Sequence, residues 1–395
     1  MPVDLENVSE QTHLSLKNST QFLQQRLGFA FNPFLHEDAS ADENLGDYLV
    51  GLDLFALAWD HTSALIYAPG GGGKTAMRIY TIRNCWLGLG GPHPFPVSCI
   101  PPTIRSDASL SADAFWHFLA RSTAAALLIG LTYRPVRFLQ LDSAQAQQVV
   151  DLLNGLLPAP LAHYSHILAD ALDPRDVALR LDRAFHLRDQ PNRAQLQELS
   201  SAFLRYRPAP LSSQPRQNWE DLRQLIQTSL GFGPIFLLLD GLDGFADTFH
   251  HPEIATRWLL QFLRYEKDLT ATNVYVKAFL PSELRPLLQD DYLEEHPSLA
   301  QAELIWTPEL LAEMIRRRVY VASRARAGSL DAFSHHSLRD VETTLVAQSP
   351  PWPRAVLRYT NAVLDAWRVR SAGKLTLLED ADIEAGASVF RRTLS

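Results

Sequence analysis

The residues in this sequence that are best suited to chemistry form a glycine-rich loop between Ala68 and Thr75. Four consecutive glycines, Gly70–Gly73, can adopt positive φ angles and carry no side chains, so their backbone N–H groups can converge on an anion. Lys74 follows them with a positive charge, and Thr75 adds a hydroxyl of the kind that binds Mg²⁺ beside a phosphate. The pattern, with alanine in place of the usual first glycine, predicts a Walker A phosphate-binding loop.

The segments on either side of this loop are those that a phosphate site needs. The apolar run Ala64–Ala68 precedes the loop and predicts a buried strand, and Thr75–Leu87 predicts a helix after it. This helix would direct the positive end of its dipole towards the phosphates. We therefore expect the following residues to bind a nucleotide: Pro69, Gly70, Gly71, Gly72, Gly73, Lys74, Thr75 and Ala76.

A second candidate site lies where an apolar run ends in an acid, in the segment PIFLLLDGLDGF at residues 234–245. Asp240 directly follows the run and would hold Mg²⁺ together with Thr75, which is the Walker B arrangement. Asp243 could orient the attacking water or accept its proton. A buried strand with an ordinary Asp-Gly turn would give the same letters, but the phosphate loop upstream favours a catalytic role for Lys74, Asp240 and Asp243.

Other residues could sense the phosphates, and each has a structural alternative. Lys277 lies within an apolar run and is explained equally well as a paired structural lysine. Ser282 follows the same run and is better explained as the N-cap of the next helix. Arg354 opens a predicted helix and could reach a γ-phosphate, or could lie on a proline-initiated surface helix. Arg78, one turn into the helix after the loop, is predicted to be structural.

A further helix carries the adjacent arginines Arg316, Arg317 and Arg318. Adjacent residues of a helix point in different directions, so these side chains cannot all reach one ligand. We expect most of them to be solvated or paired with acids such as Glu313. A nucleic-acid patch or an arginine finger is the less favoured interpretation.

The apolar runs and the patterns between them predict the architecture. Strands alternate with helices, which is typical of a doubly wound α/β core with a parallel sheet. Five strands are predicted: Ala64–Ala68, Pro96–Ile100, Ile235–Asp240, Val274–Leu280 and Glu303–Trp306. Among the predicted helices are Asn44–Trp59, Pro252–Tyr265 and Ser282–Leu288. The predicted organisation is an N-terminal helical segment (1–61), a core (62–105 and 230–307), a helical insertion (106–229) and a C-terminal helical lid (308–395).

Composition and charge limit the class of protein. The chain has 395 residues, of which 46% are hydrophobic and 20% are charged, which is typical of a globular protein. A net charge of -8 argues against a protein that coats nucleic acid over its whole surface. Two cysteines, Cys85 and Cys99, indicate a reducing compartment, and we expect a cytoplasmic location. No signal-peptide pattern and no apolar run long enough to cross a bilayer is present, so no membrane association is expected.

The string LLLDGLDG resembles the Walker B region of the STAND class of P-loop NTPases, the signal-transduction ATPases that include NACHT proteins. Their pattern is an apolar run, then Asp-Gly-hydrophobic-Asp, usually followed by Glu. Asp240 to Asp243 match this pattern, but Gly244 stands where the last acid is expected, which makes Asp243 the better candidate base. AAA+ ATPases would have Glu directly after Asp240, where this chain has Gly241.

The resemblance implies a three-layer α/β P-loop core with strand order 5-1-4-3-2, ATP and Mg²⁺ as cofactors, and a lid that carries Arg354. It also implies a nucleotide-driven conformational switch that acts on a protein partner or by self-assembly. One alternative is an AAA+-like ATPase that loads on DNA, which the arginine-rich helix favours and the acidic net charge does not. Another is an ATP-binding scaffold with little turnover, which is compatible with Gly244 in place of the expected acid. A metabolic kinase is the least favoured.

Overall fold

A computed structural model describes residues 20–51, 55–89, 91, 93–101, 111–170, 175–182, 192–244, 248, 251–288, 299–372, 374 and 376–394. Five strands form one parallel sheet: β1 (Ala64–Ala68), β2 (Phe95–Cys99), β3 (Ile235–Leu239), β4 (Val274–Pro281) and β5 (Ala300–Glu303). Every residue of β1, β3 and β4 is buried, as expected for parallel strands covered on both faces. The prediction of an α/β fold with a parallel sheet is confirmed.

The strand order is β2-β3-β4-β1-β5, so β1 lies between β4 and β5. In the register of β1 with β4, Ala64 pairs with Lys277 and Ala68 pairs with Pro281. Parallel pairing brings the carboxyl ends of neighbouring strands to one edge of the sheet. The segments that follow β1, β3 and β4 therefore begin at the same edge.

The position predicted for the fifth strand was wrong. The apolar run Glu303–Trp306 was expected to form it, but the strand is Ala300–Glu303 and ends where the prediction began. It lies at the edge of the sheet, pairs with β1 alone and exposes alternate residues. A search for continuous apolar runs finds central strands, which are buried on both faces, and misses an edge strand of this kind.

Sixteen α-helices lie in the described part of the chain, with a further helical stretch at residues 20–26. In chain order they are α1 (Leu45–Tyr48), α2 (Phe55–Trp59), α3 (Lys74–Leu87), α4 (Ala112–Tyr133), α5 (Pro135–Leu139), α6 (Ser143–Leu156), α7 (Leu161–Asp170), α8 (Asp176–Leu181), α9 (Arg193–Phe203), α10 (Pro215–Gln224), α11 (Pro252–Arg264), α12 (Glu266–Ala271), α13 (Pro308–Ala322), α14 (Val341–Ala347), α15 (Pro353–Ser371) and α16 (Asp380–Leu394).

Two predicted helices are wrong in detail. The helix predicted for Asn44–Trp59 is two short helices, α1 and α2, and residues 52–54 between them lie outside the described residues. The helix predicted for Ser282–Leu288 is a pair of 3-10 turns, Ser282–Leu284 and Pro286–Leu288. Pro286, the first residue of the second turn, lacks the N–H that a continuous helix would need.

The chain divides into two compact units, each described here by itself. The sheet unit comprises residues 53–69 and 74–304, and therefore contains the sheet and the helices α2–α12. The helical unit comprises residues 1–52, 70–73 and 305–395. In the helical unit the N-terminal residues share one apolar core with the C-terminal helices, which includes Phe22, Phe34, Ile315, Trp367 and Phe390.

Within the sheet unit, α4 is the one described helix that is long and apolar enough to cross a bilayer. Its best window has a mean hydropathy of 1.3, although the sequence had shown no sufficiently long unbroken apolar run. Inside the unit, 67% of this window is buried, and α4 packs against β2 and α10. This is the environment of a core helix in a globular unit.

Candidate functional site

Lys74 is the first residue of α3 and is nearly fully buried, with 5% of its surface exposed. Its Nζ atom donates to the carbonyl oxygens of Ala68, at 3.0 Å, and Pro69, at 3.1 Å. The same atom forms an ion pair with Oδ2 of Asp243 at 3.0 Å. An ammonium group has three protons, and these three oxygens provide one acceptor for each. The lysine of the predicted phosphate loop is therefore fully paired within the sheet unit.

Asp243 reaches Lys74 because the chain turns sharply after β3. Gly241 adopts a φ of +80°, which favours glycine, and the N–H of Gly244 donates to its carbonyl oxygen at 3.2 Å. Leu242 is fully buried in this turn, and the Asp243 side chain is 29% exposed. The Asp-Gly turn was weighed above as an alternative to a catalytic role. The turn is present, and it is what places Asp243 against Lys74.

Asp240 and Arg78 form a second ion pair, and both side chains are buried. Nε of Arg78 contacts Oδ2 of Asp240 at 3.0 Å, and its NH1 donates to Oγ of Ser98 at 3.0 Å. The backbone N–H of Asp240 donates to the carbonyl oxygen of Cys99 at 3.3 Å. Sequence reasoning had given Arg78 no part in the site. The signal for it was its position four residues after Lys74, which puts both on one face of α3.

The four glycines group with the helical unit, where two donors hold their carbonyl oxygens. The backbone N–H of Arg354 donates to Gly71 at 3.3 Å, and the indole N–H of Trp306 donates to Gly72 at 2.8 Å. Gly71 and Gly73 have φ angles of +78° and +96°. A Cβ atom on Gly71 would lie 2.8 Å from Cβ of Arg354, so this position requires glycine.

Trp306 is the contact here that sequence reasoning missed. It was predicted to end the fifth strand, whereas it is a half-buried residue of the helical unit whose ring also faces Gly73. Arg354, the predicted sensor, is exposed and contacts Gly71 through its backbone N–H and its Cβ. Thr75 and Ala76 lie half-buried in the first turn of α3.

Lys277 lies away from the site. It pairs with Ala64, the first residue of β1, so it is four residues from the strand end, or roughly 13 Å at the rise of a β-strand. Its Nζ atom donates to the carbonyl oxygens of Leu57 and Asp60, each at 2.7 Å, and lies over the ring of Phe236. Burial lowers the pKa of Lys277 to about 8, and the Asp60 carboxylate partly offsets this effect. Of the two alternatives, the structure supports the paired structural lysine.

The prediction that Ser282 is a helix N-cap was wrong. Ser282 is instead the first residue of a three-residue 3-10 turn, Ser282–Leu284, whose flanking cap position is Pro281. Among the described residues, its Oγ atom is buried without a hydrogen-bond partner. Since Pro281 pairs with Ala68, Ser282 directly follows β4 at the edge where the glycine loop begins. A buried, unpaired hydroxyl at this edge is a candidate ligand-binding group.

The arginines of α13 are paired, as expected. Arg316 contacts Asp340 at 3.0 Å, Arg317 contacts Glu313 at 2.8 Å, and Arg318 is buried against Asp42 at 3.1 Å. These arginines therefore do not form a continuous free basic patch on that helix.

The donor set fits a phosphate and a hard cation. Glycine backbone N–H groups and a lysine ammonium suit phosphate oxygens, and the Thr75 hydroxyl with the Asp240 carboxylate are oxygen ligands that Mg²⁺ prefers. Among the described residues, no group of three or more His, Cys, Asp and Glu side chains could hold a metal ion without other ligands.

Comparison of this chain with protein-family models, with curated proteins and with solved structures gives no match. No family is therefore assigned, and a function must be argued from the geometry of the residues around Lys74.

Proposed function

We propose that this chain is a cytoplasmic ATP-binding protein that hydrolyses ATP with Mg²⁺ and uses the nucleotide to change conformation. The observation that carries the proposal is the meeting of Lys74 with Asp243 at 3.0 Å. These residues follow strands that are distant in sequence, and Asp240 lies at the same strand end as Asp243. A glycine-flanked lysine beside two acids is the set that phosphoryl transfer requires.

The sheet order supports this proposal. Read from β5, the order is 5-1-4-3-2, which is the order implied by the resemblance to STAND and AAA+-related ATPases. In open α/β sheets, ligands bind beyond the carboxyl ends of the strands. Lys74, Asp240 and Ser282 all come from segments that begin at that edge.

Each residue has a role in this proposal. The N–H groups of Gly70–Gly73 and the ammonium of Lys74 bind the phosphates, and Thr75 and Asp240 hold Mg²⁺. Held by these two residues, a Mg²⁺ ion would supply positive charge that offsets the charge of the phosphates. Asp243 leaves Lys74, orients the attacking water and accepts its proton. The hydroxyl of Ser282 donates to the γ-phosphate and so reports whether it is present.

The switch follows from how the loop is held. Gly71 and Gly72 are bonded to Arg354 and Trp306 of the helical unit, while Lys74 is bonded within the sheet unit. Phosphates bound by the loop would affect the bonds in both units, since the loop is covalently continuous. Such a change can be passed to a protein partner or to a second copy of the chain.

The proposal is tested by calorimetric titration of ATP and ADP into the full chain. Lys74→Ala removes the ammonium group, and we expect at least about a tenfold loss of affinity, which is the cost of roughly 1.4 kcal/mol of lost charge-assisted bonding. Arg317→Ala, which removes an exposed arginine from α13, is the matched control and should bind as the wild type does. Equal binding by wild type and Lys74→Ala would overturn the proposal.

One alternative has an observation in its favour. Lys74 and Asp240 are both engaged by protein groups, which would slow the chemistry and favour a scaffold that binds ATP with little turnover. Phosphate release measured under single-turnover conditions separates the two functions. A bound ATP that stays intact over hours would establish the scaffold and exclude the ATPase.

A further inference from the structure

The buried arginine Arg78 lies between two strand ends. Its Nε atom holds Oδ2 of Asp240 after β3, and its NH1 donates to Ser98 near the end of β2, each at 3.0 Å. Arg78 exposes 1% of its surface and Asp240 exposes 2%. The guanidinium is therefore a fixed part of the surroundings of the carboxylate, and not a surface group that turns towards it by chance.

This position conflicts with an unaided metal site. Two positive groups on one carboxylate repel each other strongly where water is excluded. A Mg²⁺ ion that binds Asp240 directly must share it with Arg78 or displace a guanidinium that has no solvent nearby. Both are unfavourable unless additional negative charge arrives with the metal.

The phosphates of a nucleotide would bring that charge. A nucleoside triphosphate carries several negative charges, and its oxygens complete the octahedral shell that Mg²⁺ requires. With these oxygens present, the total charge around Asp240 and Arg78 is again balanced. The ion pair between Arg78 and Asp240 therefore disfavours the binding of Mg²⁺ alone and permits the binding of Mg²⁺ together with phosphates.

We infer that Arg78 is a positioning residue that holds Asp240 and competes with Mg²⁺ for it, so that this chain binds Mg²⁺ only together with a nucleotide. The inference rests on the proposed function for its ligand, but the competition between arginine and metal is a property of the protein alone. It assigns to Arg78 a control over metal binding that goes beyond the roles of Lys74, Thr75 and Asp240.

The experiment uses the full chain and Mg²⁺ alone, added as MgCl₂ at constant ionic strength, with thermal unfolding and calorimetry as readouts. The wild type should show no Mg²⁺-specific shift in its unfolding midpoint. Arg78→Met leaves Asp240 without its partner, so its midpoint should fall and then rise when Mg²⁺ is added. Its Mg²⁺ affinity should exceed that of the wild type by about tenfold or more, because one like charge has been removed from the carboxylate.

The double variant Arg78→Met/Asp240→Asn is the matched control, and it should lose the Mg²⁺ response. If Arg78→Met does not fold, Arg78→Lys and Ser98→Ala test the same competition, since both loosen the pairing and should raise Mg²⁺ affinity. Tight binding of Mg²⁺ alone by the wild type would overturn the inference, as would an Arg78→Met variant with no gain in Mg²⁺ affinity. A failed nucleotide titration with a clear Mg²⁺ gain in Arg78→Met would reject the proposed function and leave standing the competition between Arg78 and Mg²⁺ for Asp240.

Discussion

The ion pair between Lys74 and Asp243 occupies the ammonium group that the phosphates of a nucleotide would use. In the proposed function Asp243 would have two opposing effects: it would compete for Lys74 before the nucleotide binds, and it would act on water afterwards. A residue that served only as a base would affect turnover and leave affinity unchanged. The partial exposure of Asp243 limits the strength of the competition.

We expect Asp243→Asn to bind ATP roughly two- to five-fold more tightly than the wild type, as a partly exposed ion pair of up to about 1 kcal/mol is lost. The same variant should hydrolyse ATP at least about a hundredfold more slowly, which is the usual contribution of a general base. Calorimetry gives the affinity and single-turnover phosphate release gives the rate. Weaker binding with unchanged turnover would contradict both effects.

Lys277 gives the sheet unit a dependence on pH. Its pKa in the folded chain, about 8, lies below its ordinary value of 10.5, so the unfolded chain binds more protons between these values. The contribution of Lys277 to stability is therefore lowest below pH 8, where the full cost of burying its charge is present. That contribution rises as the pH increases from 8 towards 10.5, by roughly 3 kcal/mol at most.

The measurement is the free energy of unfolding of the wild type minus that of Lys277→Met, taken from denaturant curves across this pH range. Subtracting the free energy of unfolding of the variant removes the contributions of the other titrating groups, which both proteins share. The difference should increase with pH between 8 and 10. A difference that stayed constant or decreased would show that burial does not disfavour the charged lysine.

The glycine loop and the first turn of α15 meet at Gly71, where the backbone leaves no room for a side chain. Gly71→Ala would force a methyl group to within 2.8 Å of Arg354 and strain a φ of +78°. We expect this variant to lose at least about tenfold in ATP affinity, since the loop must move away from its present course. Gly328→Ala is the matched control, because no atom lies within 4 Å of a Cβ atom there and the residue lies outside the glycine loop.

A substitution at Trp306 tests the same glycine loop without adding a side chain to it. Trp306→Phe keeps an aromatic ring and removes the N–H that donates to Gly72 at 2.8 Å. The loss of one such bond should weaken ATP binding by roughly five- to tenfold and leave the helical unit folded. The nucleotide-induced change in tryptophan fluorescence should also decrease. Wild-type affinity in Trp306→Phe would show that this bond does not hold the loop in its binding form.

The helical unit is closed by a buried contact between distant parts of the chain. Arg318 on α13 donates to Asp42, 276 residues earlier, and to the hydroxyl of Tyr48 and the carbonyl oxygen of Pro33. Its guanidinium also lies 4.3 Å from the centre of the Tyr48 ring. Burial raises the pKa of Tyr48, so its hydroxyl stays neutral and donates to Asp42.

Arg318→Met should destabilise the helical unit by about 3–5 kcal/mol, because it leaves the buried Asp42 carboxylate without its positively charged partner. Limited proteolysis should then cut residues 20–51 earlier than in the wild type. Arg317→Met is the matched control on the same helix, and it should cost less than about 1 kcal/mol because its pair with Glu313 is exposed. Equal losses of stability in the two variants would show that burial of the ion pair between Arg318 and Asp42 does not increase its contribution to stability.

Local patterns in the sequence were sufficient for the central strands, the helix after the glycine loop and the identity of Lys74, Asp240 and Asp243 as candidates. These features depend on neighbouring residues: continuous apolar runs, glycines that permit unusual φ angles, and an acid at a strand end. The edge strand β5 was misplaced for the same reason, because its pairing with β1 on one side needs no continuous apolar run.

The long-range partners of the charged groups were decided by the tertiary structure. The position of Arg78 four residues after Lys74 put both on one helix face, but nothing local indicates that Arg78 meets Asp240 and Ser98, or that Trp306 meets Gly72. Ion pairs between residues distant in sequence depend on which strands are neighbours and on how much water remains around them, and neither quantity has a local signature. The sequence by itself therefore determined the candidate phosphate-binding groups, and the fold determined which protein groups are paired with them.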